Sequence, residues 1–129
     1  MHGRRSPVVS EPQPTHALPR TERIRRRPDF LLIQKQGTRT RGRYLTLVGV
    51  PGQSSASRLG IVAPKRLGNA IHRNRSKRRV RELFRHAKPT SCLDLVVLPR
   101  PEFAEVPFSA LIDDYHQTLS RQIRAHRAG

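Results

Sequence analysis

Residues 59–78 read LGIVAPKRLGNAIHRNRSKR, and a change of period inside this stretch decides the fold. Leu59 to Ala63 is a short apolar run closed by Pro64, the signature of a strand. Asn69, directly after Gly68, is a good N-cap, because its side-chain oxygen can accept from a first-turn N–H. Val80, Leu83, Phe84 and Ala87 then recur at i, i+3, i+4 and i+7, which predicts a helix to about Lys88, ended by Pro89. Leu93 to Leu98 is nearly continuously apolar and suits a strand buried on both faces. A strand-helix-strand unit from Leu59 to Leu98 follows, and the class is α+β.

Working outward, Tyr44 to Val50 reads as a strand ending at Pro51 and Gly52. Across the loop Gln53 to Ser57 it is expected to pair with 58–63 as an antiparallel hairpin. A first helix is expected from Pro28, which suits N1, to Gly37, with Asp29 complementing its dipole and Phe30, Leu31 and Ile33 on its apolar side. A last helix, about Pro107 to Ala125, puts Phe108, Leu111, Ile112, Tyr115, Leu119 and Ile123 on one stripe. Residues 1–20 hold four prolines and few sizeable apolar groups, so they are expected to form a disordered basic arm. Thr21 to Arg27 leads into a single domain, 21–129.

The 129 residues carry 26 Lys plus Arg against 9 Asp plus Glu, a formal net charge of +17. That length excludes a large multi-domain enzyme. No apolar run exceeds about four residues, where about 20 are needed to cross a bilayer, so a cytoplasmic protein without membrane association is expected. The single cysteine, Cys92, cannot form an internal disulfide and is expected to be an inert thiol. Of the 26 cations 22 are arginine, whose planar fork grips phosphate bidentately. A polyanion is the natural partner.

The charge concentrates on the predicted helix. Residues 73–85 contain seven cations and one acid, Glu82. With Val80 at zero and about 100° per residue, Arg81, Arg85, Arg78, Arg75 and Arg79 fan out opposite the apolar stripe. A solvated helix face normally alternates signs, whereas like charges at i,i+3 and i,i+4 destabilise an unliganded helix. Phosphate binding is the better reading.

This stretch resembles the signature of the protein subunit of bacterial ribonuclease P: a strand, the basic pair Lys65 and Arg66, Gly68-Asn69-Ala70, and the Arg73-Asn74-Arg75 helix. Asp29, Phe30 and Gly37 resemble the family's first helix and its stop, and the resemblance spans roughly residues 23–124. It implies an α/β sandwich of four strands and three helices, like one domain of ribosomal protein S5, with a left-handed βαβ crossover. The fourth strand, which composition does not show, would lie near Thr38 to Gly42. It also implies a protein cofactor of a catalytic RNA that removes the 5′ leader of precursor tRNA. The RNA performs the chemistry, the protein alone binds no cofactor, Mg2+ acts within the ribonucleoprotein, and no protein partner is required. By the same resemblance Lys65, Arg66, Asn69, Arg73, Asn74, Arg75, Lys77, Arg78 and Arg79 contact the RNA subunit, while Phe30 and the sheet near Tyr44 line a cleft for the single-stranded leader. Gln34 stands where family members often carry a second aromatic.

Other readings compete. No histidine is paired in sequence with a carboxylate, and the adjacent Asp113 and Asp114 diverge by about 100° on a helix, so a protein-borne nuclease site is not indicated. A ribosomal or RNA-chaperone protein is the alternative function. Phe84, Phe108 and Tyr115 belong to the core by spacing, whereas for Phe30 the residues alone leave core and cleft equally open. Gly60 inside a strand means either close backbone approach or a weak strand.

Overall fold

The computed structural model describes residues 18–53, 55–89 and 92–128. Most of the expected arm, 1–17, lies outside them. Order begins before Thr21: Leu18 is buried within the main core, and Arg20–Glu22 forms a 3-10 turn. The elements that follow are α1 (Arg27–Gln36), β1 (Thr38–Arg41), β2 (Leu45–Pro51), β3 (Arg58–Ile61), α2 (Ala70–His86), β4 (Leu93–Pro99) and α3 (Phe108–Ala128). Short 3-10 turns at Lys65–Leu67 and Pro101–Ala104 precede α2 and α3 respectively.

The four strands form one mixed sheet in the order β1-β2-β4-β3. The expected hairpin between β2 and β3 does not form. β2 pairs antiparallel with β1 and β4, placing Leu47 opposite Val97, while β3 pairs parallel with β4, placing Leu59 opposite Leu95. The physical reason lies in β4, whose residues are buried on both faces and therefore occupy the middle of the sheet, between the two strands expected to pair. β1 is the fourth strand, read from the resemblance and invisible to composition, because in Thr38-Arg39-Thr40-Arg41 only Thr40 is buried. Charged side chains on such an edge also discourage pairing with another chain.

Alternation along the strands sends Leu45, Leu47, Leu59, Leu95 and Val97 into one cluster, closed by Val80, Leu83 and Phe84 of α2 and by Leu111, Tyr115 and Leu119 of α3. Val48 and Val96 point the other way and meet Ile24 and Ile33. The ten-residue α1 covers this second face incompletely, leaving Phe30, Val50, Val62 and Leu98 only partly buried.

Inside the main cluster the Tyr115 hydroxyl donates to Ala87 O at 3.0 Å, and burial pushes its phenol above the ordinary tyrosine value. A folded-state pKa above the unfolded one contributes stability that is complete below the unfolded pKa, about 10, and is lost as pH rises beyond it. Urea midpoints should therefore fall more steeply above about pH 10 for the native chain than for Tyr115→Phe. Parallel curves would exclude this residue as the cause.

Candidate nucleic-acid interface

The basic helix is set by its own start. Gly68 takes φ 139°, a conformation that favours glycine, and Asn69 Oδ1 accepts from His72 N at 2.9 Å. Ser76, Arg79, Val80, Leu83 and Phe84 form the buried side of α2. Asn74 and Arg78 are exposed, and Arg73, Arg75, Lys77 and Arg81 are half-exposed. Lys65, Arg66 and Asn69 are exposed at the helix start, where Leu67 anchors the preceding turn in the protein.

Carboxylates contribute little to this surface. Glu82 pairs with Arg85, and its other oxygen lies 3.6 Å from His86. Burial first, then the neighbouring Arg23 and Arg85, hold the Arg81 guanidinium below its ordinary value. Cations crowded in this way favour a bound anion, which would offset their mutual repulsion.

Arg79 departs from expectation. Its guanidinium is buried, donates to Phe103 O at 2.9 Å and Val106 O at 2.7 Å, and lies 5.9 Å from the centre of the Phe108 ring. It holds the Pro101–Ala104 turn and the start of α3 against α2, so it is not a phosphate contact. Its place on the helix, about 260° from Val80, is the edge where the third layer of structure closes over the cationic side. His72 and Arg75 assist, with His72 Nε2 at 2.9 Å from Pro101 O and Arg75 Nε donating to Ala104 O at 2.7 Å. Arg75 therefore has a structural task beside any role toward RNA.

Phe30 and Tyr44 do not share a cleft. Phe30 packs on the incompletely covered face against Ile24 and Gly60, where a Cβ on Gly60 would fall 2.6 Å from Phe30 Cε1. Gly60 is thus a close-approach glycine. Tyr44 packs against the main cluster beside α3, its backbone N–H and that of Arg43 each donating to the Asp114 carboxylate at 2.8 Å. The Arg43 guanidinium lies 5.4 Å from the centre of the Tyr44 ring. The reason is the turn at 42–44: Asp114 draws its backbone toward α3, so the ring follows α3 rather than α1. Gln34, one turn beyond Phe30, is half-exposed.

One residue, Ile71, escaped attention in the sequence. Ile71 is 80% exposed, and together with Asn74, Lys77, Arg78 and Arg81 it lines a hollow of about 490 Å3. The available signal was an isoleucine about 180° from Val80 on the wheel, an apolar side chain amid the cations. Arg81 belongs to the same hollow, although it was read only as general helix charge. Among the described residues no group of three or more His, Cys, Asp or Glu could hold a metal ion. No helix among them is long and apolar enough to cross a membrane.

Fold and surface define the class first: a one-domain α+β protein with a four-stranded mixed sheet, three helices and a cationic crossover helix. The Ribonuclease P family model matches residues 18–122, and the chain belongs to this family, as a protein component of the bacterial type. The ribonuclease P protein component of Thermotoga petrophila is 38% identical over 113 residues, covering 83% of this chain and 97% of the relative. That of Chloroflexus aggregans is 40% identical over 103 residues, 78% of this chain and 76% of the relative. Among solved structures, the RNase P protein from Thermotoga maritima superposes with a TM-score of 0.70 at 39% identity, covering 78% of this chain and 96% of that one. The Staphylococcus aureus RNase P protein gives 0.69 at 29% identity, covering 77% and 93%.

Proposed function

We propose that this chain assembles in the cytoplasm with a catalytic RNA as its protein partner and promotes removal of the 5′ leader from precursor tRNA. The observation that carries this reading is the α2 surface, where Asn74, Lys77, Arg78 and Arg81 surround a hollow with no carboxylate in its wall. Duplex backbone is engaged there, with Lys65, Arg66 and Asn69 extending the contact at the helix start. Phe30, partly buried on the less covered sheet face, offers a stacking platform to a leader base. Chemistry and Mg2+ belong to the RNA.

Reconstitution with ribonuclease P RNA and a precursor tRNA at low magnesium tests the proposal. Specific 5′ cleavage should require the RNA and be stimulated by the protein. A Staphylococcus aureus RNase P protein mutant of this fold is described as having defective mRNA degradation activity, which makes the RNA-free arm necessary. Metal-dependent cleavage of precursor tRNA by RNA-free protein after stringent purification would overturn the assignment of catalysis to RNA. Stoichiometric co-purification with ribosomal RNA instead would favour a ribosomal or chaperone role.

Phe30→Ala is expected to weaken precursor tRNA binding by the holoenzyme by about 1 to 3 kcal/mol, roughly five- to 150-fold. Mature tRNA and the RNA subunit should bind as before. Gly60→Ala should have the same selectivity, because the added methyl displaces the ring without removing it. Equal weakening toward precursor and mature tRNA, with a large drop in melting temperature, would make Phe30 a core residue only.

A further inference from the structure

We propose that an arginine-lined hollow at the foot of α1 holds backbone phosphates of the single-stranded leader, upstream of the nucleotide that stacks on Phe30. This deepens the function proposed above and rests on it. The hollow, about 430 Å3, is walled by Arg20, Arg23, Arg25, Arg26 and Arg58, with Asp29 as the one carboxylate in its lining. Arg58 is already matched, donating from Nε and Nη2 to Asp94 at 3.1 and 2.7 Å. Glu22, beside Arg23 in the chain, is held 2.8 Å from the Lys88 ammonium. Asp29 therefore faces four further arginines, and Arg25 and Arg26 are exposed. Arg23 Nε is buried without a hydrogen-bond partner, a donor that a phosphate oxygen would satisfy.

Position and shape select the occupant. Asp29 of the hollow's wall directly precedes Phe30, whose ring lies on Gly60, two residues along β3 from Arg58. The hollow thus continues the Phe30 face past the start of β3, whereas Lys65 and Arg66 lie beyond its other end. A strand crossing Phe30 has cations waiting at both ends. A cationic hollow beside an aromatic platform suits a flexible single strand, whereas the hollow on α2 has no aromatic side chain in its lining.

The test uses the reconstituted holoenzyme with native protein or with Arg25→Ala/Arg26→Ala, both exposed positions, and precursor tRNAs whose leaders end either at the Phe30 nucleotide or well upstream of it. With native protein, the longer leader should bind more tightly and with a steeper salt dependence, by about 0.7 log units per phosphate contact. The double variant should bind the short-leader substrate normally and lose that gain. The expected loss is about fivefold per contact near 0.1 M salt, the same slope taken over one decade of salt. Equal loss on both substrates, accompanied by weaker binding of the catalytic RNA, would assign the hollow to that RNA and overturn the proposal. Unchanged binding throughout would leave a solvated patch and overturn it too. Failure of the native protein to assemble with the catalytic RNA is a different result, because it removes the function itself.

Discussion

Replacing Lys77, Arg78 and Arg81 together by alanine is expected to weaken binding of the catalytic RNA by about two to three orders of magnitude near 0.1 M salt. Each lost phosphate contact removes about 0.9 from the slope of log affinity against log salt, so three contacts remove roughly two to three units, and over one decade of salt this becomes the loss in affinity. These residues line one hollow on α2, and their side chains make no hydrogen bond or ion pair with the other described residues. Folding should not suffer. Alanine is the best helix former, and removing Arg81 takes away a charge crowded by Arg23 and Arg85. The two readouts should move in opposite directions: affinity down, melting temperature of the free protein unchanged or higher. A fall in affinity with an unaltered salt slope would mean that these side chains act by shape or packing, and the phosphate assignment would be wrong.

Arg79→Ala should do the reverse, lowering stability by about 3 kcal/mol or more. The substitution strands the carbonyls of Phe103 and Val106, which accept at 2.9 and 2.7 Å, and removes the guanidinium that lies beside Phe108. An orphaned buried acceptor costs about 1 to 3 kcal/mol, and here the buried Phe103 O is orphaned together with the part-buried Val106 O and lost packing. For a domain of this size the melting temperature should fall by roughly 10 to 20 °C. Arg79→Lys should rescue only in part, because both bonds leave the one nitrogen Nη1, and a lysine ammonium, without the planar guanidinium beside Phe108, does not reproduce that placement. At RNA concentrations well above the dissociation constant the variant should recover much of its folded population, since a ligand of the native state stabilises it by mass action. The salt slope of the folded fraction should match the native protein. A reduced slope with normal stability would return Arg79 to the RNA surface.

These neighbours on one helix show where reading residues in order succeeds and where it stops. Arg78 and Arg79 are indistinguishable by type, and the helical wheel places both on the cationic side. Only the Pro101–Ala104 turn, whose Phe103 lies 24 residues along the chain from Arg79, separates them by covering one. The aromatics behave alike. Tyr44 was joined to Phe30 through the resemblance, yet Asp114 on α3 holds its backbone from 70 residues away. Gly60 left two meanings open in sequence, and the Phe30 ring against it selects close approach. The hollow at the foot of α1 brings Arg58 to a cluster drawn from residues 20–26, a convergence with no sequence period to announce it.

By itself the sequence determined the elements and their character. It specified a helix capped by Asn69 and facing outward with cations, an apolar strand at Leu93 to Leu98 destined for the middle of a sheet, and a last helix whose stripe from Phe108 to Ile123 joins the core. These follow from local causes, the periods of 3.6 and 2 and the chemistry of caps, which act between residues a few positions apart. The tertiary structure alone decided that β3 pairs in parallel with β4 instead of turning back on β2, that Arg79 belongs to the protein, and that Phe30 and Tyr44 part company. A period states which side of its own element a residue occupies. What lies opposite that side depends on contacts between distant segments, chosen by how all the apolar faces can be buried at once.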